Sequence, residues 1–367
     1  MVSRGHAWLG PPIVALAIAG GSVAGFGTGP GTTDAAPAGW EAPPCAPAAP
    51  GQDAGRVPAW FRLEPVLDAE GWLVGQEVQL GVIGGATQRW LLDPESFASG
   101  PRLGRVVVGT DNGKRSRVQV IDAGSGCATD AGTRRDVVRS AILSADATRL
   151  IEHRVDRRSR ADLGVWEVAL AGGSEVRLLP GLEPDDEHGP TFATILLAGG
   201  AGELAAVSCG ETACRARLVD GSGAVRLTPG LGDPIGVADG ALVTYSPCPS
   251  LPCAIERVDA DGTRTQLAAE AGQAVLVGGD DPSVVFEPAD DPAGRLTILS
   301  LRTGAARAVG GEPGLRLQPP AHRALAGVET PAASVLLAPD GRAGRDAAQT
   351  RLVDIMTGRI TIPGEEE

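Results

Sequence analysis

The chain has 367 residues, 43% apolar and 21% charged, and carries a formal net charge of −13. That balance describes a folded, water-soluble chain long enough for a sizeable core. It argues against a disordered chain, a polytopic membrane protein and a nucleic-acid binder, since duplex recognition depends on neutralising phosphates. With 52 Gly and 29 Pro the chain is interrupted too often for a helical bundle, and with 3% aromatics its core must be Val, Leu, Ile and Ala.

Residues 1–24 read as an export signal: Arg4, an apolar run from Ala7 to Ala19, and the small-residue site Ser22-Val23-Ala24, with cleavage after Ala24. The run falls short of the ~20 residues of a spanning helix and is broken by Pro11, Pro12 and Gly20. An uncleaved anchor is the alternative. Residues 25–58, rich in Gly, Pro and Ala, read as a flexible spacer, and 59–367 as one domain.

The six cysteines form an even set, and export permits disulfides. Cys209/Cys214 and Cys248/Cys253 each bracket four residues after an apolar run, the spacing of a stapled hairpin. These two pairs are expected, with Cys45–Cys127 by elimination.

From about residue 137 onward a short apolar strand recurs after a turn, at Leu150, Leu204, Leu242, Val284 and Leu325. The mean step is about 44 residues, and each unit has room for four strands. Strands such as Val106-Val107-Val108, Ile195-Leu196-Leu197 and Val335-Leu336-Leu337 are apolar on both faces. A sheet with one wet face would alternate, whereas a sheet sandwiched between neighbours would not. The expected fold is therefore all-β, a β-propeller of seven blades, with six as the alternative. Thr133 to Leu163 has no Gly or Pro and could be helical; its place in the repeat predicts two strands around Ser144-Ala145-Asp146-Ala147.

The turn-then-strand piece Leu143-Ser144-Ala145-Asp146-Ala147-Thr148-Arg149-Leu150 resembles the "S-P-D-G-x-x-L" signature of WD40-like, TolB-type propellers, with Ala145 in place of the usual proline. Leu299 to Gly304 and Leu352 to Gly358 resemble the "D-x-x-T-G" hairpin of the same blades. The resemblance covers most of 60–363. It implies the fold and, for many such propellers, an envelope or extracellular binding role.

No nucleophile elbow, H-E-x-x-H, Walker loop or EF-hand pattern is present, and His6, His153, His188 and His322 are scattered. No catalytic residue and no cofactor is predicted. In a propeller the loops joining strand two to three, and strand four to the next blade, open on one face. Lys114, Arg115 and Arg117, then Arg134 and Arg135, then Arg154, Arg157, Arg158 and Arg160 belong to three such loops and predict a basic patch that steers an anionic partner. Asp185, Asp186, Asp290 and Asp291 are secondary candidates for Ca²⁺ through carboxylate oxygens. The expected function is an exported, monomeric, non-catalytic binding scaffold for a protein or an anionic polymer of the cell envelope, with no membrane span after processing. A propeller-fold hydrolase or lyase acting at the central channel, and a structural surface protein, are the alternatives. The channel lining separates them: convergent acids with a His would favour an enzyme.

Overall fold

β-Branched and Leu-rich runs a few residues long, separated by Gly, Pro and Asp, leave the backbone one economical solution: short antiparallel strands joined by tight turns. The computed structural model describes residues 59–363, except 84, 86, 94–95, 145, 183–192, 200–202, 210–213, 220–224, 249, 279–280, 290, 292–293, 319–325, 329–333 and 340–346. The expected leader, the spacer and Cys45 lie outside the described residues. Apart from a 3₁₀ turn at Ala347–Gln349, every regular element among them is a strand.

The strands form six antiparallel sheets. Ala59–Leu67, Leu73–Val82 and Thr87–Leu92 make the first, completed on its first edge by Ala326–Val328 through the pairing of Trp60 with Val328. The second, third and fourth run in simple order through Phe97–Arg102 to Ala128–Arg134, Val137–Leu143 to Glu175–Leu179, and Ala193–Ala198 to Val225–Leu231. The fifth has seven strands, from Pro234–Ala238 to Ala306–Val309, and turns on the 14-residue strand Arg264–Val277. That strand pairs with Cys253–Val258 through its first part and with Ser283–Pro288 through its second, and Ala271 takes part in both ladders. The sixth holds Arg316–Leu317, Ser334–Ala338, Arg351–Asp354 and Ile360–Thr361.

Both faces of the inner strands are dry. Pro234–Ala238, Ala241–Tyr245 and Ser334–Ala338 are buried at every position. All but one of the hydrophobic clusters accordingly span two neighbouring sheets, and the remaining one lies within the seven-stranded sheet. Phe61, Val78 and Trp90 of the first sheet pack on Val106 and Val108 of the second; Ile151 and Leu179 of the third pack on Leu196 and Leu204 of the fourth. Within the fifth sheet Val243 and Ile255 face Ala274 and Val284. Trp60 and Ile83 meet Leu336 and Leu352, joining the first sheet to the last. The first strands of successive sheets also lie against one another. Sheets packed face to face around their first strands are a β-propeller.

The 133–163 segment is two strands, Val137–Leu143 and Arg149–Val155, around a turn. Asp146 Oδ1 accepts from Ser144 Oγ at 2.6 Å and Thr148 N at 3.1 Å. The predicted hairpin at Leu352 to Gly358 closes as its residues demand. Asp354 Oδ1 accepts from Met356 N and Thr357 N, and Gly358 takes φ 74°, where a side chain would be strained. Cys248 and Cys253 form a disulfide. Cys209 and Cys214 are register partners across their hairpin, and Cys214 and Cys127 are both disulfide-bonded.

Candidate functional site

The three basic loops predicted from sequence are 112–115 in the second sheet, 135–136 between the second and third, and 156–161 in the third. Arg157 ties them together. Its guanidinium donates to both oxygens of Asp111 at 2.8 and 2.7 Å, the two-pronged geometry that makes arginine–carboxylate pairs rigid, and to the carbonyl of Arg135 at 3.1 Å. Ser116 Oγ donates to Asp111 Oδ2 and accepts from Val138 N, so the knot reaches the first strand of the third sheet. Burial pushes the Asp111 carboxyl up, but the hydrogen bonds from Arg157, Ser116 and Gly113 N, with the Arg157 charge, outweigh it and bring its pKa down to about 2.

Two of the nine predicted residues do not belong to a surface patch at all. Arg134 and Arg154 are 8% and 4% exposed and flank Glu152, which is fully buried. Arg134 donates to Glu152 Oε1 at 2.9 Å and Oε2 at 3.0 Å. Arg154 donates to Glu152 Oε2 at 2.8 Å and Glu175 Oε2 at 2.7 Å, and lies 5.1 Å over the Trp166 ring. Leu150, Glu152 and Arg154 alternate along one strand face, and Leu150 packs toward the second sheet. The network therefore crosses from the second sheet to the third. Arg117 is half-buried and paired with Asp130 at 3.0 Å. Lys114, Arg115, Arg135, Arg158 and Arg160 remain exposed. Arg160 holds φ 62°, a left-handed conformation that Gly304 and Gly358 occupy in comparable turns.

Of the acidic residues singled out for Ca²⁺, Asp185, Asp186 and Asp290 lie outside the described residues. Asp291 is engaged with Arg295 at 2.7 Å. Among the described residues no group of three or more His, Cys, Asp and Glu is arranged to hold a metal ion.

The strands nearest the axis were not read from sequence as a lining. Phe97–Arg102, Val137–Leu143, Ala193–Ala198, Pro234–Ala238, residues 271–277, Arg316–Leu317 and Ala326–Val328 contain no Asp, Glu or His. Their only charged residues are Arg102, Arg139 and Arg316. Arg139 is exposed at the bulge where the register slips between Val138 and Ser140, and Arg102 reaches the carbonyls of Leu143 and Ala198 on the next two first strands. Of the other missed residues, Asp111, Glu152, Asp162 and Arg217, only Glu152 had a signal. Leu150 to Val155 is an apolar strand interrupted by Glu-His-Arg, and a strand dry on both faces must bury whatever charge it carries.

No family model and no curated protein sequence matches the chain. Solved structures do. A prolyl endopeptidase matches with a TM-score of 0.52 at 14% identity over 85% of this chain and 49% of its own, so the chain spans about half its length. Oligogalacturonate lyase in complex with manganese matches with a TM-score of 0.49 at 13% identity, covering 82% of this chain and 84% of that one. TolB from Acinetobacter baumannii matches with a TM-score of 0.36 at 12% identity over 84% and 80%. At such identities the likeness concerns the fold alone.

Proposed function

We propose that this chain is an exported, non-catalytic propeller of seven blades that binds an anionic partner on the face carrying Lys114, Arg115, Arg135, Arg158 and Arg160. The observation that carries the reading is the Arg157 knot. Three loops from two blades are tied together by the hydrogen bonds of Arg157, two of them part-buried, and its charge is matched by Asp111, leaving five exposed cations on a fixed frame. In a protein of net charge −13 such a cluster sets up a local field opposed to that of the rest of the surface. Strain at Arg160 supports the same loop, because a cation kept where glycine would be relaxed is kept for something other than stability.

The seven-blade count takes Arg264–Val277 as the last strand of one blade and the first of the next. Disulfides support export, since they persist in oxidising compartments. The absence of acid–base residues from the described first strands favours a scaffold over a hydrolase or lyase at the channel. The partner is recognised by its anionic charge, whether it is an envelope polymer or an acidic protein surface. Retention on heparin tests the reading. Alanine at all five exposed positions should weaken polyanion binding by on the order of tenfold or more at low salt. An Arg105→Ala control, at an exposed turn leading away from this face, should not. Equal elution of the five-site variant and the wild type would overturn the proposal.

A further inference from the structure

The junction between the third and fourth sheets holds a second cationic feature, separate from the exposed loops. Arg217 lies in Cys214–Val219 and is 3% exposed. One arm of its guanidinium, Nη1, donates to the carbonyl of Pro180. Nε and Nη2 are buried with no hydrogen-bond partner. These two atoms form one edge of the guanidinium, a pair of parallel donors matched to two oxygens of a carboxylate or phosphate.

The nearest acid does not fill that edge. Asp162 Oδ2 stands 3.7 Å from Nη2, an ion-pair separation too long for a hydrogen bond. Its oxygens already serve Gly164 N at 2.7 Å, Leu182 N at 2.9 Å and His153 Nε2 at 3.0 Å. Burial lowers the Arg217 pKa; Asp162 raises it, and the charges of Arg215 and Arg177 lower it further. His153 Nδ1, on the far side of the ring from Asp162, is buried and unpartnered as well. Leaving charged donors dry and unpaired costs several kcal/mol, a cost that a bound oxyanion would offset.

We infer that the Nε–Nη2 edge of Arg217 is a binding slot for a small oxyanion, a carboxylate or a phosphate-type group, held between the third and fourth sheets beside Asp162. The slot is independent of the exposed loops and would stand if the polyanion reading failed. Bidentate geometry, not charge alone, defines it, so lysine at 217 keeps the charge and loses the slot.

Thermal unfolding of the full chain in acetate, in phosphate and in chloride at matched ionic strength reads it. Acetate or phosphate at tens of millimolar should raise the midpoint by about 2–4 °C over chloride. Whichever anion acts names the class. Arg217→Lys should abolish the rise, and the five-site alanine variant should retain it. No rise in the wild type, or the same rise in Arg217→Lys, would overturn the inference. If Arg217→Lys does not fold, the ¹⁵N-resolved Nε resonance of Arg217 in the wild type decides. It should move in a saturable way with the active anion, and a stationary resonance would refute the slot.

Discussion

The junctions around the third sheet and the packing within the 234–309 sheet hold neighbouring strands together with different chemistry. Within the fifth sheet Val243, Ile255, Ala274 and Val284 interlock as a dry seam, and the nearby ion pairs, Arg257 with Asp259 and Arg264 with Glu256, sit at partly exposed positions. Around the third sheet, carboxylates and guanidinium groups enter the seam itself: Asp111 with Arg157, Glu152 between Arg134 and Arg154, and Asp162 with His153. An apolar seam is tolerant in direction and indifferent to pH. A seam of buried polar groups is directional, so it fixes how one sheet's loops stand against the next, and it depends on its carboxylates staying charged. The loops that carry exposed cations are the ones braced this way.

The comparison can be broken most severely at Glu152. Glu152→Gln removes the buried charge between Arg134 and Arg154 and leaves both to the partly exposed Glu175, and urea unfolding should show a loss of about 3 kcal/mol. A loss under about 1 kcal/mol would mean that the network contributes little to the seam. In the apolar seam Ile255→Ala should cost about 3 kcal/mol through lost burial and a residual cavity, with no change in pH dependence.

Acid sharpens the contrast. Burial raises the Asp162 carboxyl, but the His153 hydrogen bond and charge, with Leu182 N and Gly164 N, prevail and hold it at about 2. Asp111 is held at about 2 as well, against an ordinary value of 3.8 for both. Their folded-state pKa values lie below the unfolded ones, so the stabilisation is present above about pH 4 and is lost as the pH falls toward 2. It amounts to about 2 kcal/mol for each group. Unfolding free energy measured across that window should fall, and Asp162→Asn should remove about half of the slope. Ile255→Ala should leave the slope unchanged.

The smallest effect runs the other way. Arg160→Gly relieves a left-handed residue and should raise stability by roughly 0.5–1 kcal/mol. The same variant should weaken heparin retention.

The blade pattern was legible because it rests on a rule the sequence carries directly: runs apolar on both faces, punctuated by turn formers, recurring near 44 residues. The two strands of 133–163 followed from that periodicity alone, even without a Gly or Pro to mark the turn, where Ala147 takes φ 51°. The site was legible only as charge. Sequence spacing placed nine cations on three loops but had no means to say which would be spent on buried partners, because those partners come from other strands. Glu152 precedes Arg154 by two positions, and the same spacing in a one-layer sheet would be a solvated pair. Arg217 is more remote still, with its neighbours Asp162 and Pro180 on the preceding blade.

The strand Ala326–Val328, laid along Ala59–Leu67, has a consequence for how the molecule is made. The first described strand waits for a partner more than 250 residues further along, so all the intervening residues must be delivered before the two can pair. Until then the backbone edge of Trp60 and its neighbours is open to any strand that arrives first. Long-range pairing of this kind is slow and prone to capture by the wrong molecule, so synthesis would leave a window in which a holding chaperone matters more to this protein than to one stitched from local contacts.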